Sequence, residues 1–225
     1  FSDKLFVHRI DGPMAYRGAS GKKLDRKIFE INRLIADATV FQSAWSQSES
    51  RAKGICRNIF EATIPNAPDP QIFFPPKSMH RRKSKKKIRL AATGWSLSSN
   101  KGFDVYQYLD RNLDFSKYEF NYIGSVAQKF NNINIIKPVP STELAHILRD
   151  QDIFIFASKK EACSNSLLEA LYCGLPAVVR NQSSNPEVLQ GHGVLFDGTT
   201  DIIEKIEIAT TKRDWTKSNV ALPGI

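Results

Sequence analysis

Short apolar runs and stretches of helically spaced apolar residues alternate along this chain. Lys4 to Val7, Thr39 to Phe41, Ile88 to Ala92, Tyr118 to Ile123, Ile133 to Ile136, Ile153 to Ala157, Ala177 to Val179 and Gly193 to Phe196 read as strands. From Leu24 to Ala38 the residues Ile28, Ile31, Leu34 and Ile35 recur at helical spacing, predicting a face packed on the first strand. Ser43 to Gly54 and Gly102 to Leu113 predict two more helices. Ser141 is expected to cap another, with Glu143 in its first turn and Leu144, Ile147 and Leu148 on one face. A further helix should follow Ala157 and stop at Gly174, with Pro176 beyond it. Asn185-Pro186-Glu187 reads as a cap with proline at the first helical position. Strands alternating with helices in this way predict an α/β fold built on a parallel sheet covered on both faces.

Two features divide the pattern. Pro65, Pro68 and Pro70 each bias the preceding residue away from the helical region, which ends the first unit. A basic run from Lys77 to Lys87 then holds no aromatic residue; it reads as a solvated linker in preference to a polyanion or acidic-lipid contact. The expected organisation is a first unit over 1–75, a linker over 76–87, a second unit over 88–201, and a helical tail over 202–225 that stops short. A start at Phe1, without an initiator methionine, fits an excised piece of a longer protein.

Composition adds modest bounds. The 225 residues are 41% hydrophobic and 24% charged, an ordinary globular balance, and the net charge of +9 suits any anionic partner without selecting one. Cys56, Cys163 and Cys173 are odd in number and lack a Cys-x-x-Cys spacing, so they read as reduced thiols of a cytoplasmic protein. His80, His146 and His192 show no metal-ligand spacing, and no metal or cofactor is expected. No run reaches transmembrane length.

The candidate chemistry lies in Glu161-Ala-Cys-Ser-Asn-Ser-Leu-Leu-Glu169 and the Ala-Leu-Tyr-Cys-Gly-Leu-Pro176 that continues it. A carboxylate and small polar residues stand where a strand ends and a helix begins. Unpaired N–H groups and the positive end of the helix dipole favour an anion there, with phosphate the expected guest. Ser164, Asn165 and Ser166 suit N-capping equally well, and the two roles are compatible. Trp45, Trp95 and Trp215 read as packing residues in preference to a sugar platform, with a ligand contact left open to Trp95.

Glu161 and Glu169, seven residues apart and followed by Cys-Gly-Leu-Pro, resemble the E-x7-E signature of retaining glycosyltransferases of family 4, which carry two Rossmann-like domains in the GT-B fold. Ile64-Pro-Asn-Ala-Pro-Asp-Pro-Gln-Ile-Phe-Phe-Pro75 is similar to that family's interdomain N-x-x-D-x-x-x-F-x-P segment, and Trp95 to Gly102 to its phosphate loop. The resemblance implies a nucleotide-sugar domain preceded by the end of an acceptor-side domain, acting with retention and without metal. It implies Glu169 on the ribose hydroxyls, two helical turns from a Glu161 that meets the donor sugar near the reacting carbon. It further implies Lys101 on the leaving diphosphate, with Ser96, Gly102, Ser164, Asn165, Ser166 and Leu167 around the donor. His8, at a strand end, matches a histidine often found near the scissile bond. The family commonly has an arginine after a glycine just before that lysine; here Gly94 is followed by Trp95 and Ser96, which leaves Lys101 with the helix dipole.

The expected partners are a nucleotide-sugar donor and a saccharide or lipid-linked acceptor. A peripheral anionic-membrane contact through 77–87 is carried as a further expectation, and nucleic acid is not expected. The alternatives are a non-catalytic nucleotide-sugar or polyanion-binding module, or an epimerase or phosphorylase on the same fold.

Overall fold

The computed structural model describes residues 4–55, 60–76, 87–126 and 128–211. Its chain contacts separate two compact units, one of residues 1–66 with 160–164, the other of 67–159 with 165–225. The run 77–86, Cys56 and Trp215 lie outside the described residues.

The first unit is a three-stranded parallel sheet in the order β1-β2-β3, with β1 Val7–Ile10, β2 Ala38–Phe41 and β3 Phe60–Thr63. Helix α1, Ala19–Ile35, joins β1 to β2, and α2, Ala44–Ala52, joins β2 to β3. Its small core is Ile10, Phe29, Phe41 and Ile55, with Ile28 packed against it. The first strand lies three residues later than its apolar run suggested. Leu5 is 86% exposed, whereas Ile10, paired in register with Phe41, is buried. His8 therefore stands inside β1, opposite Thr39, rather than in a loop at its end.

The buried face of α1 also differs from the expectation. Ile31, Leu34 and Ile35 are each more than half exposed, and the helix buries Gly21, Asp25, Phe29 and Asn32. Polar bonds turn it this way. Asp25 accepts the backbone N–H groups of Met14 and Ala15, both at 2.7 Å, and Asn32 Nδ2 reaches Thr39 Oγ1 at 2.9 Å and His8 Nδ1 at 3.1 Å. Buried polar groups must be paired, so these bonds outrank the apolar periodicity.

The second unit is a six-stranded, wholly parallel sheet in the order β6-β5-β4-β7-β8-β9. Its strands are β4 Ile88–Gly94, β5 Tyr118–Gly124, β6 Asn134–Ile136, β7 Ile153–Phe156, β8 Ala177–Arg180 and β9 Gly193–Phe196. Between them run α3 Phe103–Asn112, α4 Ser141–Arg149, α5 Asn165–Tyr172 and α6 Asn185–Leu189, and α7 Ile202–Thr211 follows β9. Strands β4 and β7 are buried along most of their length, as a sheet covered on both faces requires. The order reverses direction between β4 and β7, which makes the carboxyl ends of these two strands the switch point of a doubly wound sheet.

Local chemistry sets the element ends. Helix α5 closes with Leu175 N–H on the Ala170 carbonyl and Gly174 N–H on that of Leu171, the paired bonds of a Schellman stop. The expected caps at Ser141 and Asn185 are displaced by one residue. Pro140 is the N-cap of α4, with Ser141 already helical, and Ser184 is that of α6. The Asn185 side chain instead donates to the carbonyls of Ser158 and Arg180, at 2.8 and 3.1 Å, tying the ends of β7 and β8 together. Among the described residues no helix runs between β5 and β6. That connection is held by Asp110 of α3, which accepts the backbone N–H groups of Asn131, Asn132 and Ile133. Burial opposes ionisation of Asp110, but these three donors prevail and hold its carboxyl below the usual range.

Candidate functional site

In the second unit the site is assembled at the switch point. The loop after β4 runs from Trp95 to Lys101 with Trp95, Ser96, Leu97, Ser98 and Ser99 exposed. Its own side chains shape it. Ser96 Oγ accepts Ser98 N–H at 3.2 Å, and Ser98 Oγ accepts Asn100 N–H at 3.3 Å. Lys101 closes a 3-10 turn over Ser99–Lys101, its N–H on the Ser98 carbonyl at 2.9 Å.

Gly102 then takes φ +77° and starts α3. A Cβ at this position would run into the Ala157 carbonyl at the end of β7, so only glycine lets the two backbones approach. Lys159 N–H on the Asn100 carbonyl, at 2.8 Å, completes the junction. Lys101 and Gly102 are thus brought to the carboxyl end of β7, and Ser96 stands outward on the same loop.

Behind the junction is a charge cluster that pattern reasoning missed. Asp104, in the first turn of α3, pairs with Lys159 Nζ at 3.0 Å and with Arg180 Nη1 at 3.5 Å. Burial disfavours its charge, but the Lys159 hydrogen bond and the two cations hold its carboxyl below the usual range. The partners lie 55 to 76 residues from Asp104, too far apart for any local motif to announce them. Two buried polar atoms close to the switch point, Thr93 Oγ1 at the end of β4 and Asn185 Oδ1, have no hydrogen-bond partner among the described residues.

Helix α5 carries the second carboxylate. Asn165 is its first residue and is exposed, Ser166 and Glu169 are half-buried, and Leu167 is fully buried in the unit's interior. Glu169 therefore stands about one turn into the helix. Burial pushes its carboxyl up to about 7 from a usual value of 4.5. Near neutrality this group is poised between proton donor and acceptor.

Glu161 is not on that helix. It lies in the irregular segment before α5, so the seven-residue spacing to Glu169 is not a span of two helical turns. Residues 160–164, including Glu161 and Ser164, cluster with the first unit. There the Cys163 carbonyl accepts Asn66 Nδ2 at 3.0 Å, and Lys160 Nζ stands 4.5 Å from the centroid of the Tyr16 ring. His8, with its ring on Asn32, belongs to the same unit. Glu161 and His8 thus fall in one unit, while Lys101, Ser96, Gly102, Asn165, Ser166, Leu167 and Glu169 fall in the other.

Among the described residues no group of three or more His, Cys, Asp or Glu could hold a metal ion. No helix among them is long and apolar enough to cross a membrane.

Residues 116–219 match the family model described as glycosyl transferases group 1, which takes in β5 to α7 and the whole of α5. An uncharacterized 41.2 kDa protein in the cps region of Klebsiella pneumoniae is 29% identical over 136 residues, covering 56% of this chain and 38% of that protein. Among solved structures, Anabaena Alr3699/HepE in complex with UDP and glucose superposes with a TM-score of 0.74 at 13% identity, over 95% of this chain and 64% of that one. Sucrose-phosphate synthase from Thermosynechococcus elongatus gives 0.71 at 12% identity, over 93% and 59%. A mutant of TarM from S. aureus, in complex with Fondaparinux, alpha-GlcNAc-glycerol and UDP, gives 0.74 at 16%, over 94% and 45%. These structural likenesses establish the fold, parallel α/β units of the GT-B type. The chain spans less than two thirds of each of these proteins.

Proposed function

We propose that this chain is the donor-binding part of a glycosyltransferase of family 4, which moves a sugar from a nucleotide diphosphate donor to an acceptor hydroxyl with retention at the anomeric carbon. One observation carries the reading: the helix that follows β7, one of the two strands at the switch point of a doubly wound sheet, presents a half-buried glutamate one turn in, within the segment that matches group 1 glycosyl transferases. The solved relatives that hold UDP support a nucleoside diphosphate as the ligand.

In this reading each residue has one task. Glu169 accepts the ribose hydroxyls, a role suited to a carboxylate with two acceptor oxygens. Lys101 and the first N–H groups of α5 face the diphosphate and stabilise the charge that grows on it as the glycosidic bond breaks. Gly102, Ser96, Ser164, Asn165 and Ser166 shape the cradle, and Leu167 anchors the helix beneath it. Glu161 meets the donor sugar and His8 serves near the scissile bond. Lys101 and the helix terminus supply positive charge where other enzymes employ a divalent cation, so the reaction is read as independent of metal. The cps-region relative fits a role in polysaccharide synthesis, and a saccharide or lipid-linked acceptor and a cytoplasmic location belong to the same reading. Contact with an anionic membrane through 77–87 belongs to the same reading.

Calorimetry of nucleoside diphosphate binding to the wild-type chain and to Glu169→Ala tests it. Losing a charged hydrogen-bond partner is expected to cost about 1.5–3 kcal/mol of binding while the fold stays intact. Unchanged affinity would remove Glu169 from the ribose. Binding to polyanions with steep salt dependence, and none to nucleotides, would favour the idle binding module instead.

A further inference from the structure

The first unit carries a cavity of about 620 Å³, lined by one face of α1 and by Lys53 and Gly54, which follow α2. On that face Lys22, Arg26 and Arg33 are exposed, and among the described residues none of the three makes an ion pair or a side-chain hydrogen bond. They stand four and then seven residues apart, so they recur along the helix axis at about 6 and 10.5 Å. Lys22 and Arg26, like charges at i and i+4, repel each other and weaken the helix taken alone. Lys53 adds a fourth cation, its ammonium on Glu49 at 2.8 Å and 5.0 Å from the centroid of the Tyr16 ring. Of the two carboxylates that line the cavity, Asp25 is buried and engaged by the N–H groups of Met14 and Ala15, whereas Glu30 is exposed and, like the three cations, makes no such bond among the described residues. Gly54 has no neighbour within 4 Å of where a Cβ would stand, which leaves that end open.

We propose that this cavity binds an oligosaccharide bearing carboxylate groups. The inference goes beyond the donor reading and stands without it. Cations spaced along a helix call for anionic groups spaced along a chain, which a single phosphate does not supply, and the volume lies within the range of about 300–1,000 Å³ usual for ligand pockets. The planar guanidinium groups of Arg26 and Arg33 match carboxylates, each offering two parallel N–H donors. Glu30 lies between them along the helix as an acceptor, and sugar hydroxyls donate to it where the bare oxygens of a diphosphate or a lipid phosphate have no proton to give. The one aromatic ring in the lining, Phe29, is 7% exposed, so no ring face is offered to the bases of a nucleic acid.

Amide NMR of the isotope-labelled chain, titrated with tetragalacturonate, tests the site, with maltotetraose, inorganic diphosphate and phosphatidylglycerol vesicles as comparison ligands. Tetragalacturonate is expected to shift the amides of Lys22, Arg26, Arg33, Lys53 and Gly54 saturably, and maltotetraose, which has the sugars without the charge, is expected not to at the same concentration. Two charge-reversed double variants separate a site from a basic surface. Lys22→Glu with Arg26→Glu alters the cavity, whereas Lys23→Glu with Lys27→Glu makes the same change in net charge at exposed positions of the same helix that do not line it. The first is expected to weaken tetragalacturonate binding by about tenfold or more, as loss of charged hydrogen bonds does, and the second by less than about threefold. Arg33→Ser is a milder variant with the same expected direction. Nucleoside diphosphate binding is expected unchanged in all of them, so its absence bears on the donor reading alone. Equal weakening by the two doubles would reduce the cavity to a solvated basic face and overturn the proposal. So would a chain whose named amides do not answer to tetragalacturonate, or amides that answer to diphosphate or vesicles at a lower concentration.

Discussion

Glu169 is the residue on which burial and proposed role interact most directly. Its carboxyl titrates near 7 in the folded chain against a usual 4.5, because burial penalises the charged form. Between those two values the folded state holds a proton that the unfolded chain has released. The stability tied to this group is therefore complete below about pH 4.5 and is lost as pH rises through about 7. Glu169→Gln should accordingly stabilise the chain above pH 7 and leave it nearly unchanged below pH 4.5. The gain is about 2 kcal/mol, reduced for partial exposure from about 1.36 kcal/mol per pKa unit. Urea unfolding at several pH values checks it, and a gain independent of pH would contradict the shifted carboxyl. Binding should run the other way. Ribose hydroxyls that donate to Glu169 favour its ionised form, so a nucleoside diphosphate should bind more weakly as pH falls below 7 and release a proton on binding near pH 6. Calorimetry in buffers of different ionisation enthalpy would show no proton release if Glu169 does not touch the ligand.

The junction at Gly102 makes a sharp prediction for its elements. Gly102 has φ +77° and no room for a Cβ beside the Ala157 carbonyl, so Gly102→Ala must shift either the start of α3 or the end of β7. A cost of at least about 1–3 kcal/mol in denaturant unfolding is expected from the backbone conformation alone. Wild-type stability in the variant would mean that the junction is not as close as described. The helix after Gly102 was legible in the sequence, and so was the stop of α5 at Gly174, whereas the approach of Gly102 to Ala157 joins residues 55 apart and was not. Strand β3 was not legible. Phe60 is exposed and the strand buries none of its residues, so neither an apolar run nor an alternation marks it. The face of α1 was misjudged for a related reason, because its apolar residues at 31, 34 and 35 point outward while Asp25 and Asn32 are buried by bonds to distant groups. The Asp104, Lys159 and Arg180 cluster, and the hold of Asn66 on Cys163, join residues that only the folded chain brings together.

For the molecule as a whole, the chain divides into a six-stranded unit, with its switch point and helix α5, and a three-stranded unit, and it spans under two thirds of the solved proteins it resembles. Transfer needs donor and acceptor held together, and such positioning contributes roughly 7–11 kcal/mol to a barrier. On the proposed reading the 225 residues bind a nucleotide sugar and transfer it to an acceptor panel more slowly than a full-length relative with two complete units does; equal rates would contradict this division of labour. Binding itself should survive excess chelator if, as proposed, Lys101 and the α5 terminus supply the positive charge. The most direct measurement is thermal unfolding of this chain with UDP, GDP, dTDP and ADP and their sugars, each with and without chelator. One nucleoside diphosphate should stabilise the chain, by about 2.7 kcal/mol at a hundredfold its dissociation constant, equally in both conditions, and Glu169→Ala should abolish most of that gain. No stabilisation by any of them, or stabilisation that disappears with chelator and returns with magnesium, would contradict the account.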